Sequence, residues 1–403
     1  MTLIESFDSS PLQNIAECLA IVPEKLILVG SKAQLDGGIK HYEKLLQDWK
    51  LPTKVAAHPM ESTTFADVRR EFEQLIQNNA PCAIDVFGGN ELHLAAAGAA
   101  FDKLKERCPV TLQKMDMQQG AVVRVDGQQP IVVGKKPRLT VQQSVEIYGG
   151  KVCSVGNQAV EQYDSQDIRA LWEIAGKDPG SWNKKLHTLN FFEGRNNQHG
   201  NDLTVEVDVY CDCGGLEDPA ESREIFRQTI DQLKQGRVIT VQESRNGYYR
   251  YRYKNQLVRT ALKKEGNVLE YKTFFEARES TADGKLLFND CAIGVMLDWN
   301  GDAEGQTHNE IDVVAMHGAV PVFISCKNGT IDDEELYKLN SVALKLGGEF
   351  VKKVLIATDF EPPKEKTKQA VIQRAKDMGV VFEPDAAQLS TEGWNQLFQK
   401  ILK

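Results

Sequence analysis

Apolar and polar positions alternate along the first part of the chain as strand and helix patterns in turn. Lys25-Leu-Ile-Leu-Val-Gly30 is a short apolar run closed by glycine, which predicts a buried first strand. Ile39, Tyr42, Leu45, Leu46 and Trp49 recur at helical spacing between Gly38 and Trp49, so a one-faced helix follows it. Lys54-Val-Ala-Ala57 is the next strand, and Phe65, Val68, Phe72, Leu75 and Ile76 predict a helix over Glu61 to Gln77. Cys82-Ala-Ile-Asp-Val-Phe87 then runs as a strand into Gly88-Gly89-Asn90, with a long alanine-rich helix from about Glu91. Ala121 to Val125 and Ile131 to Val133 add strands before Tyr148-Gly149-Gly150. Alternation of this kind predicts an α/β fold with a Rossmann-like parallel sheet over residues 1–150.

Residues 151–262 read as a connecting α+β segment. Helical spacing runs from Asp164 to Phe192 and from Pro219 to Gln235, and Leu203 to Tyr210 alternates as a half-exposed strand. Val238 to Val241 and Tyr248 to Tyr253 form a hairpin turning at Arg245-Asn246-Gly247. Its row of Tyr248, Tyr249, Arg250, Tyr251, Arg252 and Tyr253 suits base stacking, and strand alternation explains it equally well.

Over residues 263–403 the pattern predicts a second α/β domain. Val268 to Arg278 is a helix with Glu270 in its first turns, where a carboxylate either serves the helix dipole or does chemistry. Asn309 to Met316 and Val320 to Lys327 are two strands joined by a tight turn. A turn at His317-Gly318 sets Glu310 opposite Ser325 and Asp312 opposite Phe323. Glu310, Asp312, Ser325 and Lys327 then share one face, with Ile311, Val313, Val322, Ile324 and Cys326 on the other.

With 403 residues, 41% hydrophobic and 26% charged, the chain holds two folded lobes of ordinary soluble composition. No apolar run reaches membrane-spanning length and Met1 to Ser10 lacks signal-peptide features, so no membrane association and a cytoplasmic location are expected. Cys211 and Cys213 make a lone C-x-C that reads as structural, zinc being the other reading. A formal charge of −9 leaves room for local contact with nucleic acid and not for a surface that coats it.

Two places carry candidate chemistry. Gly30-Ser31-Lys32 and Phe87-Gly88-Gly89-Asn90-Glu91 fall at strand ends, where parallel sheets bind ligands. Helix amides after Asn90 and the Lys32 ammonium suit a phosphate, while a plain tight turn at Gly88-Gly89 is the alternative. The second place is the C-terminal hairpin. Two acids and a lysine on one face form what a hydrolytic metal site needs, the carboxylates holding Mg²⁺ or Mn²⁺ and the lysine orienting water or balancing phosphate charge. A solvated charged face is the other reading.

Glu270 in Gly266-Asn-Val-Leu-Glu270, Asp312 in Asn309-Glu-Ile-Asp312 and Lys327 in Ser325-Cys-Lys327 resemble the PD-(D/E)xK nuclease pattern. Ser325 stands where that family usually carries Glu or Asp, and Glu310 or Glu270 is the candidate source of the missing oxygen. With Gly88 to Glu91, these segments make the chain similar to CRISPR-associated nucleases that join an N-terminal CRISPR-associated Rossmann-fold sensor to a restriction-endonuclease-like domain. The resemblance implies a homodimer activated by a cyclic oligoadenylate, usually cyclic tetra-adenylate, that cuts DNA, RNA or both with Mn²⁺ or Mg²⁺. It makes Ser31, Lys32, Gly88, Gly89, Asn90 and Glu91 the expected activator contacts, and Asp312, Glu270, Glu310, Ser325 and Lys327 the nuclease site. A stand-alone restriction or repair nuclease and a catalytically inactive nucleotide-sensing regulator are the alternatives.

Overall fold

The computed structural model describes residues 1–8, 11–196, 202–211, 214–299, 308–329, 331, 333–361 and 365–403. Cys213, read above as structural, lies outside the described residues. In the N-terminal lobe, β1 (Thr2–Ser6), β2 (Lys25–Gly30), β3 (Lys54–Pro59), β4 (Cys82–Asp85), β5 (Val110–Asp116), β6 (Ala121–Arg124) and β7 (Ile131–Val133) form a seven-stranded sheet. Its order is β3-β2-β1-β4-β5-β6-β7, with β6 running antiparallel to both β5 and β7. Helices α1 (Leu12–Ile21), α2 (Lys32–Asp48), α3 (Phe65–Asn79) and α4 (Glu91–Leu104) return the chain between its parallel strands.

Lys25–Gly30 is therefore the second strand and not the first. Thr2–Ser6 holds a central place in the sheet although Leu3 and Ile4 are its only aliphatic residues, because Glu5 and Ser6 are buried with them. Hydropathy cannot register a strand whose buried positions include a carboxylate. Helix α2 opens at Lys32 and not near Gly38 because Ser31 and Gln34 form a capping box, each side chain bonding the other's backbone N–H. Helix α3 opens at Phe65, where Thr64 accepts from Asp67 N, and Glu61 is freed to accept the Lys32 N–H at 2.6 Å.

The middle of the chain contains α5 (Val141–Glu146), β8 (Lys151–Ser154), α6 (Asn157–Val160), α7 (Ser165–Gly176) and α8 (Pro179–Asn196). The helical pattern expected from Asp164 to Phe192 is thus two helices, the second opening at Pro179, a residue that starts helices more readily than it continues them. Next come β9 (Thr204–Asp208), α9 (Pro219–Gln235), β10 (Ile239–Arg245), β11 (Tyr248–Tyr253) and α10 (Gln256–Ala261). Asn246 and Gly247 both take positive φ (47° and 81°), the conformation a two-residue hairpin turn demands. Tyr251 and Tyr253 are fully buried and donate their hydroxyls to Glu193. These two belong to the core and not to a base-stacking surface.

The C-terminal part consists of α11 (Asn267–Glu279), the short ladder β12 (Thr281–Ala282) and β13 (Lys285–Leu286), then β14 (Asp290–Asp298), β15 (His308–His317), β16 (Val320–Lys327), α12 (Asp333–Gly347), β17 (Lys352–Ala357), α13 (Glu365–Asp377), β18 (Val380–Glu383) and α14 (Thr391–Ile401). Its six-stranded sheet runs β18-β17-β16-β15-β14-β8, so residues from the middle segment complete its edge. Val313, Ala315, Val322, Ile324 and Cys326 pack on one face with α11, α14 and the middle-segment core around Trp182 and Phe226. Val314, Met316, Phe323 and Leu355 pack on the other with α12, and that cluster continues through Val145 to Tyr42 and Leu12 of the N-terminal lobe.

The hairpin departs from its expected geometry in two respects. His317 pairs with Val320 and Val313 with Ile324, so the turn is Gly318-Ala319, one residue later than His317-Gly318. His317 stays in the strand because its Nδ1 donates to the Leu287 carbonyl at 2.7 Å, and Gly318 takes the left-handed turn position (φ 63°). Continuing this ladder sets Asp312 beside Ser325 and not opposite Phe323. The second departure is that Ile311 packs in the cluster of Val314 and not in that of Val313. Alternation slips at Asp312-Val313, where the facing strand has Gly294 at φ 58° between the paired positions Ile293 and Val295. A left-handed glycine in a strand bends the ladder and re-aims the side chains across from it.

Candidate functional site

Asp312 sits where that slip occurs. Its Oδ2 accepts the Cys326 N–H at 2.6 Å and the Ser325 hydroxyl at 3.2 Å, while its Oδ1 enters neither bond. Burial raises its pKa, and the Cys326 amide, Lys327 and Ser325 oppose the rise. The Cys326 side chain points away to the buried α11 face, where its sulfur lies 3.4 Å from Thr273 Oγ1. Alternation along β16 then turns Ser325 and Lys327 toward the α12 face. There Lys327 Nζ lies 2.7 Å from Glu335 Oε2, in the first turn of α12.

Glu270 approaches from the opposite helix. It lies in the first turn of α11, half-buried, and a Cβ on Gly266 would stand 3.1 Å from its Oε1. The bare glycine gives the carboxylate room to fold over the helix start. Burial, then the charges of Asp312 and Glu310, push the Glu270 pKa up to about 7 against the pull of Lys264 and Lys327. Glu310 itself is exposed. Three carboxylates that repel one another near Lys327 and Lys264, with an oxygen of Asp312 to spare, fit a divalent cation, whose charge would relieve that repulsion. Their oxygens are not drawn into a tight cage. Among the described residues, the group of three with ligand atoms all within 4.8 Å is Glu5, Glu17 and Asp85 of the N-terminal lobe. Burial raises the pKa of all three, repulsion between carboxylates adds to the rise at Glu5 and Asp85, and hydrogen bonds from Gln113 and Asp85 oppose it at Glu17.

The N-terminal loops lie at the carboxyl ends of β1, β2 and β4, where the connections leave the sheet in opposite directions. Ser31 spends its hydroxyl on the capping box, and Lys32 has an exposed side chain. Gly88 and Gly89 both take positive φ, and a Cβ on either would run into Asp8 or Ser6 respectively. Gly89 N–H donates to Asp8 Oδ2 at 3.0 Å and Asn90 N–H to Ser6 Oγ at 3.3 Å. Asn90 caps α4 by accepting from the Leu92 and His93 amides, and Glu91 is exposed in its first turn. The end of β1 and the loop after it, with Ser6 and Asp8, are thus a third wall that sequence reading missed along with β1 itself. Glu335 was missed as well. Its signal was the acidic run Asp333-Glu334-Glu335 soon after Lys327, which reads as an ordinary helix start.

A Rossmann-like lobe joined to a second α/β lobe with an acid-and-lysine hairpin defines a class that comparison with known proteins makes more particular. Residues 259–388 match the family of Card1-like endonuclease domains. The C-terminal lobe is therefore an endonuclease domain, and the matched span contains Glu270, Glu310, Asp312, Ser325, Lys327 and Glu335. The crystal structure of protein VC1899 from Vibrio cholerae is 17% identical with a TM-score of 0.71, over 100% of this chain and 97% of that one. Can2 from Sulfobacillus thermosulfidooxidans, solved in complex with cyclic tetra-adenylate, is 15% identical with a TM-score of 0.65, over 100% and 97%. These likenesses establish that the two-lobed fold extends over the whole chain. A search of the curated proteins finds no match.

Proposed function

We propose that this protein is a metal-dependent endonuclease of type III CRISPR antiviral defence, switched on by a cyclic oligoadenylate bound to its N-terminal lobe. The observation that carries the reading is the convergence of Asp312, Glu270 and Lys327 inside a matched endonuclease domain. The fold shared with Can2, solved with cyclic tetra-adenylate, supports the choice of activator. In this reading residues 1–150 sense, 151–262 connect and 263–403 cut, and the protein works as a homodimer, because a two-fold ligand spanning two sensor lobes can favour one subunit arrangement.

Asp312, Glu270 and Glu310 would hold Mn²⁺ or Mg²⁺, which when bound acidifies water and draws charge from the phosphate. The chain's own groups do the rest. The Cys326 amide and Ser325 hydroxyl fix Asp312 in one rotamer, so the ligand is in place before substrate arrives. Lys327 places its ammonium where negative charge builds on the scissile phosphate, of DNA or RNA. Ser31, Lys32 and the loop from Gly88 to Glu91 would contact the activator through helix amides and the Lys32 ammonium. Purified protein with Mn²⁺ should leave single-stranded DNA, plasmid and RNA intact until cyclic tetra-adenylate is added, and then cut at least one of them. Cutting at full rate without the activator, or none with it, rejects this reading.

A further inference from the structure

The SxK sequence leaves the nuclease site one carboxylate short of its pattern, and the structure brings another carboxylate against the lysine of that sequence. We propose that Glu335 supplies the acidic oxygen that Ser325 lacks, as a metal ligand that also positions Lys327. This rests on the nuclease reading above and deepens it. Ser325 and Lys327 point to the sheet face covered by α12, and Glu335 Oε2 reaches Lys327 Nζ from that helix at 2.7 Å. The three acids opening α12 are not equivalent. Asp333 is paired with Arg374, Glu334 is exposed, and Glu335 turns inward beside the fully buried Leu336.

Glu335 and Lys327 keep 31% and 27% of their side-chain exposure, so both are open to a substrate and a hydrated ion. An ion pair that wet adds little to stability. Glu270 enters from the first turn of α11 on one sheet face, and Glu335 from the first turn of α12 on the other. Asp312 stands on the strand between them. The two helices thus supply carboxylates from both sides of one strand end, with Lys327 as counter-charge.

The test is Mn²⁺ binding to the full chain by calorimetry, with melting temperature and ligand-activated cleavage read alongside. Glu335→Gln should weaken Mn²⁺ by about ten-fold or more with little change in melting temperature, and Ser325→Glu added to it should restore both binding and cleavage. Glu335→Asp, which keeps the charge, should fall between wild type and Glu335→Gln. Wild-type Mn²⁺ affinity in Glu335→Gln, alongside loss in Asp312→Ala, overturns the role of Glu335 and leaves the nuclease site standing. Failure of Ser325→Glu to restore the folded double variant overturns the equivalence of the two positions. If Asp312→Ala also binds Mn²⁺ normally, the nuclease reading itself fails.

Discussion

At the scale of single residues, the site separates holding a metal from using it. In the proposed site Asp312 would offer its free oxygen to the metal, so Asp312→Ala should lose both Mn²⁺ binding and cleavage. Lys327→Ala should keep Mn²⁺ and cut about 100-fold or more slowly, because it removes charge from the transition state and not from the ion's ligand set. Equal loss of metal binding in the two variants would contradict that division. In the sensor loop, Gly89 adopts φ 76° with Ser6 where a Cβ would go. Gly89→Ala should cost about 1–3 kcal/mol of local strain and weaken cyclic tetra-adenylate binding, measured by titration, with the nuclease domain's Mn²⁺ affinity unchanged. Alternation along one strand puts Ser325 and Lys327 on a common face, a short-range rule the sequence carries. Asp312 instead meets Ser325 through a register one residue off the expected one and across the slip at Gly294. Glu335 could not be picked out of the sequence, since its meeting with Lys327 depends on where α12 lands.

At the scale of elements, the strands and helices with plain periodicity were legible. Pro219–Gln235 is a helix over its expected span, and the hairpin from Ile239 to Tyr253 turns at Asn246-Gly247. Strand β1 and helix α1 escaped because carboxylates are among their buried positions. Strand β1 contributes Glu5, α1 contributes Glu17 and β4 contributes Asp85 to one buried carboxyl group. Burial, above all, lifts Glu17 from 4.5 to about 7. A carboxyl whose pKa is higher folded than unfolded contributes stability that is complete below the unfolded value and lost as pH rises through the folded one. Melting temperature should therefore fall as pH rises from about 4.5 to above 7, and Glu17→Gln should flatten that slope. A melting temperature that rises across this range in calorimetry would show that the group folds ionised.

At the scale of the whole molecule, the N-terminal and C-terminal lobes share a core into which α12 packs. A cavity of about 410 Å³ is lined by Phe7, Asp8 and Tyr42 of the sensor, Tyr148 of the connection and Lys345 near the end of α12. The start of the same helix holds Glu335 against Lys327. In the proposed function, an activator that drew Asp8 from the Gly89 amide would alter a cavity wall shared with the end of α12. Just past that helix, Gly348 takes φ 68° with Tyr148 packed where a Cβ would stand. Gly348→Ala should lower stability by about 1–3 kcal/mol and reduce the fold-activation by cyclic tetra-adenylate, seen as a smaller ratio of cleavage with and without it. Unchanged activation in that variant would place the coupling elsewhere.

The sequence by itself determined the two α/β lobes, the glycine loop at Gly88-Gly89 and the acid-and-lysine hairpin, because each is written in contacts between residues near one another in the chain. Tertiary structure alone decided that β1 is central, that the hairpin turns at Gly318-Ala319, and that Gly294 shifts the strand at Asp312. It also decided that a carboxylate on α12 stands beside Lys327. Each of these depends on which distant surface an element packs against, and burial of a polar group or reversal of a strand's facing follows from that packing and not from local periodicity.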